Sequence, residues 1–507
     1  MKKYKKISNP KVMLLYPPNQ SWPNWMCKPN GSLAYPNLGG ALIEADIEVK
    51  VFDACVGNEK DKLEEMFYKS TELPSGMLRT GVSDERILEE IKDYDVVGLT
   101  SIFTDQETMV LSTAKLIKNI YPEKLIIAGG FNARNRVEKF LDNKVDLVCL
   151  SEGEKTFIKI LDEVRKEDSD FSKISSIAFK KNGKTITNKT SLEDVIWDLD
   201  KLPMPAWHLL PNERYWKIAR PHGLNLDFDK ELRYASMMTS LGCIFSCSYC
   251  HISTETEESI SGPISKFRMK SDERVLSELY QLKKLGVKEI FIEDDTLFGR
   301  KKRAINLLKK MRGEGVDTYL INGVNLIHLF KDSEPDIELI EALKDSGCKE
   351  VVLPFETGVK RIMEKYASNK FPHDRYFNVK GLISTLKKYG MNTAGNYIIG
   401  WPDETLEELY QTIEAARLHR SFGIDSVNFF NAIPLPGTQL YEIAEQGGHL
   451  PHDWSPDKAN WGKASMINTC VPQEKLEEIR QNAWRELNDS NYVDYKLKMK
   501  VSEAKKI

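Results

Sequence analysis

The sequence predicts an α/β protein made of two parallel-sheet units in tandem, closed by a small, mostly helical C-terminal region. Three observations predict it. From Lys11 to Glu167, short Val/Ile/Leu-rich runs alternate with amphipathic helical patterns. The alternation then breaks: DLDKLPMPAWHLLPNERYW, from Asp198, is rich in proline and aromatics and has no period. Beyond it the alternation resumes as six further strand–helix repeats. The implied boundaries are 1–190 for an open Rossmann-like sheet, 191–230 for an interdomain linker, 231–440 for a partial (β/α)6 TIM-type barrel, and 441–507 for the C-terminal region.

In the first unit, KVMLLY, IEVKVFDA, YDVVGLTSI, KLIIAGG and VDLVCL read as buried strands. LGGALIEAD, DERILEEIKD, TDQETMVLSTAKLIKNIY, ARNRVEKFLDN and EGEKTFIKILDEVRKE read as the helices between and after them. SIAFKKNGKTIT reads as a hairpin turning at Asn182-Gly183. In the second unit the strands are YASMMTS, KEIFIEDD, VDTYLING, EVVLPFE, NTAGNYIIG and DSVNFFNAI. Helical patterns such as SDERVLSELYQLKKLG separate them. Six repeats make a parallel barrel two units short of eight, with its chemistry at the C-terminal ends of the strands.

Composition narrows the function. A net charge of -3 over 507 residues argues against electrostatically driven nucleic-acid binding. No apolar run reaches the length of a membrane span, and the basic start MKKYKKISNPK leads into no signal-peptide core. The expected location is the cytoplasm. Of eight cysteines, five (Cys27, Cys55, Cys149, Cys348, Cys470) are scattered singly and read as small buried apolar residues.

The other three are clustered in LGCIFSCSYCHIS, where Cys243, Cys247 and Cys250 follow C-x3-C-x2-C on the loop after the first barrel strand. Thiolates suit zinc or iron–sulfur clusters. A closed structural zinc site wants a fourth Cys or His, and His251 is poorly placed beside a ligating cysteine. A [4Fe–4S] cluster held by three thiolates leaves one iron open to another molecule.

C-x3-C-x2-C with the aromatic Tyr249 before the last cysteine resembles the signature of radical S-adenosylmethionine (SAM) enzymes. The resemblance implies a [4Fe–4S] cluster on Cys243, Cys247 and Cys250. Its open iron is chelated by SAM, which is cleaved reductively to a 5′-deoxyadenosyl radical. It further implies SAM contacts from Tyr249, from Glu293, Asp294 and Asp295 after the second strand, and from Glu356 after the fourth. NYIIGWPDET resembles the family's adenine-binding turn through Asn396, Ile398, Gly400, Pro402 and Glu404, with asparagine where glycine is common at 396. YPPNQ, FDACVG, LTSIFTD, IIAGGFNAR and LSEGE fall at successive strand ends of the first unit and resemble the cobalamin-binding domain of the cobalamin-dependent members. The cobalamin contacts this implies are Thr100, Ser101, Gly129, Gly130, Asn132, Ser151, Glu152 and Gly153. The first histidine is His208, and D-x-H-x-x-G is absent, so the cobalt gains no lower histidine from this sheet.

The expected activity is methyl transfer from SAM, through methylcobalamin, to an unactivated carbon after hydrogen abstraction by the radical. The alternatives are a non-methylating cobalamin-dependent reaction (cyclisation, ring contraction or oxidative rearrangement), or radical chemistry with a sheet domain that no longer binds cobalamin. Expected partners are an organic substrate of unnamed class and an electron donor such as flavodoxin or ferredoxin, with neither nucleic acid nor a membrane. Trp25, Trp207, Trp216, Trp401 and Trp454 are candidate pocket walls.

Overall fold

The structure, a computed structural model, describes residues 6–23, 32–218, 232–371, 377–458 and 461–494. These form two compact units. One gathers the chain as far as 218 with the segment Glu255–Ile264; the other gathers the rest.

The first unit is built on a seven-stranded sheet: β1 (Val12–Tyr16), β2 (Val49–Asp53), β3 (Val96–Thr100), β4 (Leu125–Gly129), β5 (Leu147–Cys149), β6 (Ile177–Lys181) and β7 (Lys184–Asn188). The spatial order is β7-β6-β5-β4-β3-β1-β2. Strands β1 to β5 run parallel, and the Asn182-Gly183 hairpin adds β6 and β7 antiparallel at one edge. VMLLY is apolar throughout because both faces of β1 are covered. Val12 and Leu14 join one core with Tyr35, Phe157 and Ile160, while Met13 and Leu15 join the other with Ile87, Val110 and Ile117. Strand order reverses between β1 and β3, which opens a crevice beyond their carboxyl ends.

The proline-rich stretch packs back on this unit. Tyr215 donates to Asp53 at 2.7 Å, and Arg214 donates to the Val56 carbonyl at 2.6 Å. A side chain at Gly40 would run into the Met204 carbonyl. Residues 191–218, expected as linker, therefore lie within the first unit.

The second unit has β8 (Tyr234–Met237), β9 (Glu289–Ile292), β10 (Asp317–Leu320), β11 (Cys348–Glu356), β12 (Asn392–Ile399) and β13 (Ser426–Asn431), all parallel and in sequential order. These are the six strands the repeats predict. The edge at β13 is covered by the C-terminal region. The Asn488 amide accepts from Val427 N and donates to Val427 O, both at 2.9 Å, as a neighbouring strand would. Helix Gln473–Leu487 leads up to that asparagine. No helix among the described residues is long and apolar enough to cross a membrane.

Candidate active site

The three cysteines follow β8. Their loop is fixed from several directions. Ser248 N donates to the Tyr366 carbonyl and Leu440 N donates to the Ser248 carbonyl, each at 2.8 Å. Gly242 N donates to Asp295 at 3.0 Å. Ser246 N donates to the Ser368 hydroxyl at 3.2 Å.

Cys247 is buried and Cys243 and Cys250 are partly so. Burial pushes the Cys250 thiol up to about 12 and the Cys247 thiol above its ordinary range. The charges of Cys247 and Cys243 push Cys250 the same way, and that of Cys243 does so for Cys247. Three thiols within electrostatic reach of one another form no single-ion site, and no group of three or more His, Cys, Asp or Glu among the described residues does. Three thiolates suit three corners of a [4Fe–4S] cluster, whereas a closed zinc site wants a fourth ligand.

The three adjacent acids after β9 take different tasks because successive side chains of an extended segment point to opposite sides. Asp294 is fully buried and accepts from Thr239 N at 2.6 Å, Thr239 Oγ1 at 2.7 Å and Ser240 Oγ at 2.5 Å. Arg303 donates to the same Thr239 hydroxyl. Asp294 thus clamps the turn leading into the cysteine loop, with three hydrogen bonds accepted from within the protein. Asp295 holds the loop backbone through Gly242. Glu293 accepts from Ser236 at 3.2 Å and from Asn322. It keeps some exposure, and burial raises its carboxyl to about 7.

Glu356 ends β11, where the pairing with β12 slips between Pro354 and Glu356. The residue takes φ +64°, a costly left-handed conformation for a side chain of this kind. Slip and twist together aim its carboxylate at Lys370, 2.5 Å away. Lys370 also donates to the Tyr249 hydroxyl at 3.1 Å. Burial alone would lower the Lys370 ammonium, but the charges of Glu356 and Cys247 outweigh it and raise it. Tyr249 lies against Trp401, whose other neighbour is the stacked ring of Tyr366. Cys247, Tyr249, Lys370 and Glu356 therefore form one continuous group.

In the turn after β12, Asn396 is bonded to Asn428 across β12–β13 at 3.0 Å, and the Ile398 carbonyl accepts from Trp401. Gly400, at φ +80°, lies where a Cβ would meet Leu476 at 2.4 Å, so the C-terminal helix also requires a glycine there. Glu404 is buried, accepts from Gly400 N at 2.6 Å, and is raised by burial to about 8.

The strand ends of the first unit also form a group. Ser101 N donates to the Gly129 carbonyl at 2.8 Å, and the Ser101 carbonyl accepts from Asn132 N at 3.0 Å. Asn132 Nδ2 donates to Ser101 Oγ at 3.0 Å and to Glu107 at 3.3 Å. Its Oδ1 and the Ser151 Oγ are buried without a protein partner. Two orphaned acceptors beside a half-exposed Gly129 fit the polar tail of a bound nucleotide-like group. Thr100 is buried, with its N–H on Tyr35.

Three of the expected contacts also have partners or close neighbours within the protein. At Gly130, φ +101°, a Cβ would strike the Ser101 carbonyl at 2.7 Å, so this glycine serves the turn itself. Glu152 accepts from Ile196 N at 2.6 Å and anchors the returning chain. Gly153 packs against Leu38. Trp207 and Trp216 are buried in this unit, Trp454 meets Tyr441 in the other, and Trp25 lies outside the described residues.

Lys370 and Thr296, which lies 2.7 Å from Cys243 Sγ, were not foreseen. Lys370 sits in ASNKF, where no period operates. Its only signal is the Ser-Asn pair, which adopts φ +53° and +47°.

A sequential parallel barrel with three thiols on its first loop defines a radical SAM protein. The chain matches the radical SAM superfamily over residues 237–416 and the B12 binding domain over 74–161. It is 30% identical over 412 residues to the uncharacterized methyltransferase PH0819 of Pyrococcus horikoshii, covering 81% of this chain and 80% of that protein. It is 27% identical over 469 residues to the cytidylyl-2-hydroxyethylphosphonate methyltransferase of Streptomyces wedmorensis, covering 86% and 82%. Its fold matches TsrM of Kitasatospora setae, a radical SAM methyltransferase solved with cobalamin and a [4Fe–4S] cluster, at TM-score 0.63 and 15% identity over 93% of this chain and 85% of that one. The chain belongs to the cobalamin-binding radical SAM enzymes.

Proposed function

We propose that this chain is a cobalamin-dependent radical SAM methyltransferase acting at an unactivated carbon. The observation that carries the reading is the pairing, on one chain, of a three-thiol loop with a sheet whose strand ends leave Asn132 Oδ1 and Ser151 Oγ without partners. The methyltransferase names of its two relatives support the reaction type. When bound, the cluster with SAM supplies an oxidising radical and cobalamin carries the methyl group.

The chain's own residues hold and orient. Cys243, Cys247 and Cys250 would hold the cluster. Lys370, fixed by Glu356, offers an ammonium to an anionic group such as the SAM carboxylate. Glu293, still partly exposed, faces SAM's amino group. Trp401 backs Tyr249 and keeps water from that wall. Asn132 and Ser151 receive the cobalamin tail. No histidine precedes His208, so the first unit would offer no imidazole to a bound cobalamin. An electron donor such as flavodoxin or ferredoxin would supply the electron that a bound cluster needs, in the cytoplasm.

The test is anaerobic turnover of the reconstituted protein with methyl-labelled SAM against candidate acceptors. Methyl transfer predicts label in a product heavier by one CH2 unit. A product that has lost hydrogen or water, with 5′-deoxyadenosine formed and no label transferred, would show a different reaction on the same cofactors.

A further inference from the structure

Cys243 differs from the other two cysteines in what touches its sulfur. Thr296 Oγ1 lies 2.7 Å from Cys243 Sγ, and Phe245 N–H donates to the same sulfur at 3.5 Å. Thr296 is fully buried, so water cannot compete for its hydroxyl. Asn325, itself buried, donates from Nδ2 to Thr296 Oγ1 at 3.4 Å. An amide NH2 can only donate, so the threonine oxygen is used as an acceptor there and its own proton is left for the sulfur. The relay Asn325 → Thr296 → Cys243 thus delivers an oriented O–H to Cys243, while the hydroxyl bonded to Cys247 is that of Tyr249.

Resting on the reading of the three thiols as a cluster site, we propose that Thr296, oriented by Asn325, is a positioning residue that sets the reduction potential of the cluster through Cys243. A hydrogen bond to a ligating thiolate withdraws electron density from the sulfur and so favours the reduced cluster. It also fixes the rotamer of the first ligand. Neither residue ligates metal. Thr296 is a β-branched residue just past a strand end, where a valine would pack as well, so its hydroxyl rather than its shape is the feature to explain.

The experiment is a potentiometric titration, followed by electron paramagnetic resonance, of the anaerobically reconstituted full chain as wild type, Thr296→Ser and Thr296→Val. Iron and sulfide content is measured first. If the wild type assembles no [4Fe–4S] cluster, the cluster reading itself fails, which is distinct from failure of the present proposal. With a cluster present, Thr296→Val is expected to lower the midpoint. At the wild-type midpoint the reduced-to-oxidised ratio should fall about threefold or more, ~30 mV for a one-electron couple. Thr296→Ser should stay near wild type. Should Thr296→Val fail to hold a cluster, Asn325→Leu, which frees the hydroxyl proton to turn away, is expected to lower the midpoint by a smaller amount. A potential unmoved in Thr296→Val, or in Asn325→Leu where the valine variant cannot be loaded, overturns the proposal. So does a serine variant that shifts as far as valine.

Discussion

The groups beside the two candidate sites are treated in different ways. In the first, polar atoms beside the crevice are left unsatisfied: Asn132 Oδ1 and Ser151 Oγ are buried with no protein partner. In the second, the acids nearest the cysteine loop are bonded within the protein, Asp294 through three donors and Glu356 through Lys370. An unsatisfied buried acceptor costs stability until a ligand arrives, so the first unit is built to gain on binding. The second spends its hydrogen bonds on holding three thiols in place before anything binds.

This contrast breaks most clearly at the thiols. Cys247→Ala should abolish cluster loading and 5′-deoxyadenosine formation while leaving corrin absorbance after cobalamin reconstitution; iron analysis and chromatography check this. Next is the clamp. Asp294→Ala strands three donors, and should cost about 2–4 kcal/mol of barrel stability, read as a fall in denaturation midpoint without cofactors.

Glu404 gives a pH-dependent test. Its folded carboxyl is raised to about 8 by burial, above its ordinary 4.5. The folded state therefore holds a proton that the unfolded chain has released, and stability is lost as pH rises from about 4.5 to 8. Glu404→Gln removes that loss. Its advantage over wild type should be absent near pH 4.5 and grow to on the order of 2–4 kcal/mol by pH 8 in parallel unfolding curves. Gly400→Ala, forced to φ +80° against Leu476, should cost about 2 kcal/mol. The smallest effect lies in the first unit. Ser151→Ala deletes an orphaned hydroxyl, so unliganded stability should hold or rise by up to about 1 kcal/mol while cobalamin affinity falls several-fold. A large loss of stability in this variant would erase the contrast between the units.

Much of the fold was legible because its signal is local. A β1 such as VMLLY, covered on both faces, must be apolar at every position, and six such runs spaced by helices leave few alternatives to a parallel barrel. The cysteine triplet was legible for the same reason: its spacing is contained in one loop. What each acid does was not. Glu293, Asp294 and Asp295 are adjacent and chemically alike, and only the turn bringing Thr239, Ser240 and Arg303 against the middle one separates a clamp from a ligand. Glu356 was found from its place at a strand end, but its cation, Lys370, comes from a segment whose left-handed pair leaves no periodic trace. The packing that requires glycine at Gly130 and Gly400, against the backbone of Ser101 and against Leu476, comes from distant segments and has no local signal.

The moorings of the cysteine loop also dictate an order of events during biosynthesis. Cys243, Cys247 and Cys250 leave the ribosome long before the residues that position them. Asp294 and Thr296 emerge some fifty residues later, Tyr366 and Lys370 after a further seventy, and Leu440 last. Domains fold as units as their chain is completed. A nascent chain halted anywhere before Leu440 carries the three sulfurs without their frame, so iron and sulfide delivery belongs to a finished barrel rather than to a growing one.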